Sequence, residues 1–224
     1  MALSLGAGRT PVDDLGGRVR AVRTAGIVLA GGRSSRMGRP KAWLDWGGRP
    51  LLAHVVGIVA GVVDGPVVVV GAPGQELPGV PAEVVEDPVE GRGPLQGISA
   101  GLTALEGRAD AAFVASVDLP FLQPAYVRRV LAMLGDHAVL LPVAHGHHQP
   151  LAAAYRTDLA PTVRALLDEG RGRPPDLFAT VDVRRVDPAA LLADPLLAAA
   201  DPELSSLVNV NTPEEYAAAL ERRG

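Results

Sequence analysis

The stretch Gly26-Ile-Val-Leu-Ala-Gly-Gly-Arg-Ser-Ser-Arg-Met-Gly-Arg-Pro-Lys41 decides the fold. It leaves a short apolar run, turns through two glycines, passes three arginines and ends on a lysine. An apolar run of this length reads as a buried strand, and the glycines mark the turn that follows it. A Gly-rich loop after a strand lies at the carboxyl edge of an α/β sheet, where such sheets bind ligands. Lys41 is the only lysine of the chain, against 20 arginines. An ammonium meets a phosphate as a compact point charge, whereas a guanidinium prefers planar, bidentate geometry. One lysine retained among so many arginines, on a loop of this kind, points to phosphate binding over a plain basic surface loop.

Outward from this stretch the rhythm is regular. Pro66–Gly71, Ala82–Glu86, Ala111–Val117 and Ala138–Val143 read as strands. Leu51–Val62, Leu95–Leu105 and Pro124–Leu134 read as helices. Near-continuous Val, Leu and Ala runs separated by helices are the pattern of strands covered on both faces. The predicted fold class is α/β: a three-layer, doubly wound, mostly parallel sheet with a short antiparallel part. The antiparallel part follows Val143. His145-Gly-His-His148 reads as a hairpin turn and Gln149–Tyr155 as a returning strand. Next come a helix over Asp158–Glu169 with Asp158 as N-cap and a strand over Thr180–Val186. Asp187–Ser206 carries no clear pattern. Thr212-Pro-Glu-Glu215 is a strong helix start, with Thr as N-cap, Pro at the first position and Glu closing a capping box.

Composition narrows the function classes. The chain has 224 residues, 48% of them hydrophobic, and a net charge of −4. That charge gives no electrostatic reason to bind nucleic acid. Cysteine is absent, which removes disulfides and thiolate metal sites and fits a cytoplasmic location. No apolar stretch approaches the roughly 20 residues that span a bilayer, so no membrane partner is expected. Residues 1–24 lack a signal-peptide core and read as a disordered extension. Residues 25–224 read as one domain.

Three further stretches carry chemistry. Asp118, in Val117-Asp-Leu-Pro-Phe121, ends an apolar strand at the same sheet edge as the Gly-rich loop. A lone carboxylate there suits Mg²⁺, which takes one or two carboxylates together with water and substrate phosphates. It also suits a turn cap before Pro120. Glu86-Asp87 and Gly93-Pro-Leu-Gln-Gly-Ile98 form a Gly/Pro-rich connection against which a nucleobase could lie. Asn209 and Asn211, the only asparagines, stand two residues apart, so extended chain would point both to one side. His145, His147 and His148 read as a solvated hairpin tip. The dinucleotide fingerprint, the P-loop and the nucleophile elbow are absent.

In this order, Leu29-Ala-Gly-Gly with Arg36-Met-Gly and Lys41, Gly93-Pro-Leu-Gln-Gly-Ile98, Asp118-Leu-Pro-Phe121 and Asn209-Val-Asn-Thr-Pro-Glu-Glu215 resemble the molybdenum cofactor guanylyltransferases, a MobA-like branch of the nucleotidyltransferase superfamily. The resemblance runs from about Thr24 to Arg222. It implies an enzyme that transfers GMP from GTP to the phosphate of molybdopterin, with Mg²⁺. It implies a nucleotide site made by Leu29, Ala30, Gly31, Gly32, Lys41, Asp87, Gly93, Pro94, Leu95 and Asp118. Lys41, Arg36 and Asp118 would be the catalytic residues, Asp118 the metal ligand, and Asn209 and Asn211 the acceptor side. Other molybdenum cofactor biosynthesis proteins and recipient molybdoenzymes are further partners it implies. Arg171 and Arg173, in Gly170–Asp176, could meet an acceptor phosphate or decorate a loop. Rival readings are a sister transferase using another nucleotide or acceptor (cytidylyl transfer to the molybdenum cofactor, or transfer to a phospholactate or sugar phosphate) and a non-catalytic nucleotide-binding module. In the resembled family Leu-Ala-Gly-Gly goes with guanine, whereas the cytidylyl branch looks more like Thr-Ala-Ala-Gly.

Overall fold

Strand β1, Thr24–Leu29, is the spine of the molecule and is buried from Ala25 onward. Its side chains alternate between two cores. Ile27 and Leu29 enter one, Val28 the other. Both faces are therefore covered, as the uninterrupted apolar run requires. The computed structural model describes residues 22–31, 37–87 and 93–223. Most of the predicted extension, together with Gly32 and Arg36, lies outside the described residues.

The described residues form one sheet of eight strands. Beside β1 lie β2 (Val67–Gly71) and β4 (Ala111–Ser116), both parallel to it, and β3 (Glu83–Glu86) pairs parallel with β2. β7 (Ala152–Arg156) runs antiparallel between β4 and β5 (Val139–Ala144), while β8 (Val183–Val186) pairs parallel with β5. The short β6 (His147–His148) pairs antiparallel with the end of β5. The turn between them is His145-Gly146, both at positive φ, a combination that suits a tight hairpin. The carboxyl ends of β1 to β5 thus share one edge, and the fold is the mostly parallel, doubly wound sheet expected from the sequence.

Helices α1 (Leu51–Ala60) and α3 (Pro124–Met133) cover one face; α2 (Pro94–Ala104) and α4 (Ala160–Asp168) cover the other. α2 approaches β1 through glycines. A Cβ added at Gly101 would stand 2.6 Å from Ile27, and one at Gly97 would stand 3.2 Å from Leu29. The helix therefore sits tight on the strand that leads into the Gly-rich loop. Tyr126 and Tyr155 are wholly buried, and each hydroxyl donates to a backbone carbonyl, of Ala152 and Pro150. Burial pushes both phenols well above their ordinary pKa.

Two expectations need correction, and one stretch without a reading gains one. Asp158 is not a helix N-cap: it lies in a 3-10 turn, Thr157–Leu159, and α4 begins after it with no side-chain cap. The strand predicted from Thr180 starts at Val183, because Thr180 still closes α5 (Pro174–Phe178), donating its amide to Leu177 and its hydroxyl to the Asp176 carbonyl. Finally, Asp187–Ser206 is well structured. α6 (Pro188–Leu192) and α7 (Pro195–Ala200) each start with an Asp-Pro pair, in which Asp187 or Asp194 accepts amides of the first turn. That is the N-cap plus first-position proline signature. A third aspartate, Asp201, is buried and accepts the amides of Ser205 and Ser206. This segment leads into the final helix, α8 (Pro213–Arg223).

Candidate active site

Met37 fixes the second half of the Gly-rich loop. It is buried in the core beside Ala30, Ala42 and Leu44. Gly38 follows at φ +67, a left-handed conformation that glycine adopts freely. Pro40 then leads into a 3-10 turn, Lys41–Trp43, closed by amide donations from Trp43 to Pro40 and from Leu44 to Lys41. Lys41 is thereby set at the carboxyl edge of the sheet. Arg39 is turned elsewhere, its guanidinium 5.6 Å from the ring centroid of Tyr216 on α8.

Asp118 follows β4 on the neighbouring strand. The Lys41 Nζ lies 3.2 Å from Asp118 Oδ2 and 2.8 Å from Asn211 Oδ1. Side-chain exposures are 14% for Lys41 and 17% for Asp118, so the pair is partly desolvated and attracts more strongly than a surface ion pair. The other carboxylate oxygen, Oδ1, is buried without a hydrogen-bond partner among the described residues. A buried anionic oxygen left unsatisfied is costly, and a hard divalent cation is the kind of ligand that would satisfy it. The donor set fits Mg²⁺, which is content with a single protein carboxylate when phosphates supply the other oxygens.

The segment after α7 is stitched onto this loop. Ser206 Oγ accepts the amide of Gln123 at 3.0 Å, and the Val210 amide donates to the Asp118 carbonyl at 3.0 Å. The expected capping box forms: the Glu215 amide donates to Thr212 Oγ1, and the Glu215 carboxylate accepts the amides of Asn211 and Thr212. Asn211 is thus held beside Lys41. Asn209, on the same loop, is exposed.

The nucleotide-side residues share the edge. The amides of Ala30 and Gly31 both donate to the Val70 carbonyl, and the Leu29 carbonyl accepts from Val117. Gln75 joins the ends of β1 and β2, donating to the Ala30 carbonyl and accepting the Ala72 amide. The amides of Ala30 and Gly31 are therefore engaged within the fold, not presented to a phosphate. Gly31 has a packing reason of its own: a Cβ there would stand 3.2 Å from the Ala72 nitrogen. Asp87 follows β3, its amide on the Gly71 carbonyl. Gly93 caps α2 at φ +90, and its missing Cβ would lie 3.0 Å from the Gly172 carbonyl. Pro94 is the first residue of α2, and Leu95 is buried in the core. Arg171 reaches Glu169 and the Asp176 carbonyl, while Arg173 is exposed and 3.9 Å from Asp176.

Sequence reasoning missed His54. From α1 it bridges to the Asp118 loop, with Nε2 2.8 Å from the Pro120 carbonyl and Nδ1 2.7 Å from an Arg49 nitrogen. A carbonyl only accepts and a guanidinium only donates, so the ring is neutral, with the proton on Nε2. Burial holds its pKa below the ordinary value; the Pro120 bond opposes that shift, and the charges of Arg49 and Arg223 add to it. Trp46 packs beside both partners, 6.0 Å from His54 and 5.4 Å edge-on to Phe121. No motif surrounds His54 that would have marked it in the sequence.

The described residues contain no helix long and apolar enough to cross a membrane. They also contain no group of three or more His, Asp or Glu placed to hold a metal, so a cation here would depend on Asp118 and on its substrate.

Known proteins share this sequence and fold. A model of the MobA-like NTP transferase domain matches residues 26–186. A protein of Mycobacterium avium named "Probable molybdenum cofactor guanylyltransferase" is 38% identical over 208 residues, 91% of this chain and 98% of its own length. A protein of the same name from Mycobacterium tuberculosis H37Rv is 42% identical over 170 residues, 74% of this chain and 84% of its own. Among solved structures, molybdopterin-guanine dinucleotide biosynthesis protein A of Archaeoglobus fulgidus superposes with a TM-score of 0.69 at 23% identity, covering 89% of this chain and 98% of its own. The 2-C-methyl-D-erythritol 4-phosphate cytidylyltransferase of Thermus thermophilus shares the fold with a TM-score of 0.63 at 19% identity, over 88% of this chain and 97% of its own. The chain is a nucleotidyltransferase and belongs to the MobA-like NTP transferase domain family.

Proposed function

We propose that the enzyme transfers GMP from GTP to molybdopterin in the cytoplasm, releasing pyrophosphate and forming the guanine dinucleotide cofactor. The observation that carries this reading is the meeting of Lys41, Asp118 and Asn211 at the carboxyl edge of the sheet. The names of the curated relatives supply the nucleotide and the acceptor.

In the proposed reaction a terminal phosphate oxygen of molybdopterin attacks the α-phosphorus of GTP. The bond from that phosphorus to the bridging oxygen breaks, and pyrophosphate leaves. A phosphoanhydride joins pterin and nucleoside. Such a transfer needs little covalent help; positioning and charge neutralisation lower the barrier. Lys41 and Arg36 neutralise the triphosphate. Asp118 would hold Mg²⁺, which would supply positive charge to the phosphates. The backbone at Leu29, Ala30, Gly31 and Gly32 and the Gly93-Pro-Leu95 helix start border the nucleoside, together with Asp87. The loop of Asn209 and Asn211 borders the acceptor. Residues 25–224 act as one catalytic domain.

Lys41→Ala and Asp118→Ala should each abolish GTP-dependent pyrophosphate release in the presence of molybdopterin. Wild-type rates in either variant would refute the assignment.

A further inference from the structure

Asn211 is closer to Lys41 than Asp118 is: 2.8 Å from Oδ1 to Nζ, against 3.2 Å. The carboxamide oxygen is a neutral acceptor and the ammonium a strong donor, so this is a charge-assisted bond that leaves the charge of Lys41 in place. The acceptor is held on stiff backbone. The Val210 amide is bonded to the Asp118 carbonyl, and the Asn211 amide is bonded to Glu215 in the α8 capping box. Lys41 is anchored independently by its 3-10 turn. Two fixed elements, 170 residues apart in the chain, thus meet through one hydrogen bond at the ammonium.

We infer that Asn211 is a positioning residue for Lys41, setting the ammonium where the triphosphate arrives. This goes beyond the acceptor-side role implied for Asn211, and it rests on the reading of Lys41 as a triphosphate contact. The oxygen shares the ammonium with the Asp118 carboxylate and adds no negative charge of its own.

The test is the dissociation constant of GTP with Mg²⁺ and no acceptor, measured by calorimetry on the full chain for wild type, Asn211→Ala, Lys41→Ala and the double variant. Initial rates with molybdopterin then give KM for each substrate. Losing one hydrogen bond to a charged group should weaken GTP binding about tenfold and raise KM for GTP, with KM for molybdopterin unchanged. Asn211→Ala should add nothing in the Lys41→Ala background, since its effect passes through the ammonium. Asn211→Asp, which keeps the shape but places a second anion on Lys41, should weaken GTP binding further and serves if the alanine variant fails to fold. Unchanged GTP affinity in Asn211→Ala beside weakened binding in Lys41→Ala would overturn the positioning role alone. A raised KM confined to molybdopterin would mark Asn211 as an acceptor contact and overturn it equally. Unchanged GTP affinity in Lys41→Ala would overturn the triphosphate reading beneath it.

Discussion

Lys41 and Asp118 stand 77 residues apart in sequence, yet their charged groups meet at 3.2 Å. The contact joins the loop after β1 to the loop after β4, two adjacent parallel strands in register from Thr24–Ala111 to Leu29–Ser116. The adjacent strands and the 3-10 turn of Lys41 thereby place the ammonium and the carboxylate side by side. Among the described residues, one carboxylate oxygen is engaged and the other is buried without a hydrogen-bond partner.

Lys41→Arg tests whether a point charge is needed. A guanidinium is larger and planar, and cannot occupy the space between Asp118 Oδ2 and Asn211 Oδ1 with the same geometry. The variant should fold normally and lose roughly a hundredfold in kcat/KM, the scale seen when one charge-stabilising donor is displaced. Steady-state kinetics beside a thermal melt check this.

Asp118→Asn keeps the shape and removes the anion. Pyrophosphate release should fall below detection, and added Mg²⁺ should no longer raise affinity for GTP. Calorimetric titration of GTP with and without the cation reads the second effect. A wild-type response to Mg²⁺ would remove Asp118 from the metal site.

Gly101→Ala should damage the fold without touching the chemistry. The new methyl would stand 2.6 Å from Ile27 on the central strand. Overpacking of this kind costs about 1–3 kcal/mol. A urea midpoint should fall accordingly, with KM for GTP unchanged.

His54 gives the fold an acid-sensitive joint. Its folded-state pKa lies below the ordinary 6.5, so the unfolded chain binds the proton more readily than the folded one. The stability it contributes is complete above pH 6.5 and is lost as pH falls below that value toward the folded pKa. His54→Gln can still donate to the Pro120 carbonyl but does not titrate. Urea midpoints taken above pH 6.5 and about one unit below it should converge in this variant relative to wild type.

Much of the fold was legible because its signals are local. Val67–Val70, buried throughout, could only be a strand covered on both faces, and Thr212 with Glu215 announced α8 by the chemistry of its cap. Asp187 and Asp194 carried comparable signals, each followed by proline, but the helices they start are too short to show an apolar period. Asp158 misled because its neighbours form a 3-10 turn before α4. In the site, Lys41 was legible on the loop after a strand and Asp118 at a strand's end, so their meeting at one sheet edge was expected. The bond from Asn211 to Lys41 was not, since the i, i+2 rule gives a shared side but no partner. The role of His54 was hidden because it depends on a contact between α1 and the Asp118 loop, 66 residues away.

The most direct test of the account is a single assay: purified protein, Mg²⁺, molybdopterin and each of GTP, CTP, ATP and UTP in turn, with pyrophosphate and dinucleotide product measured together. The account predicts stoichiometric pyrophosphate and molybdopterin guanine dinucleotide with GTP, and neither from Lys41→Ala. Preference for CTP, or GTP binding with no pyrophosphate released in the presence of molybdopterin, would contradict it.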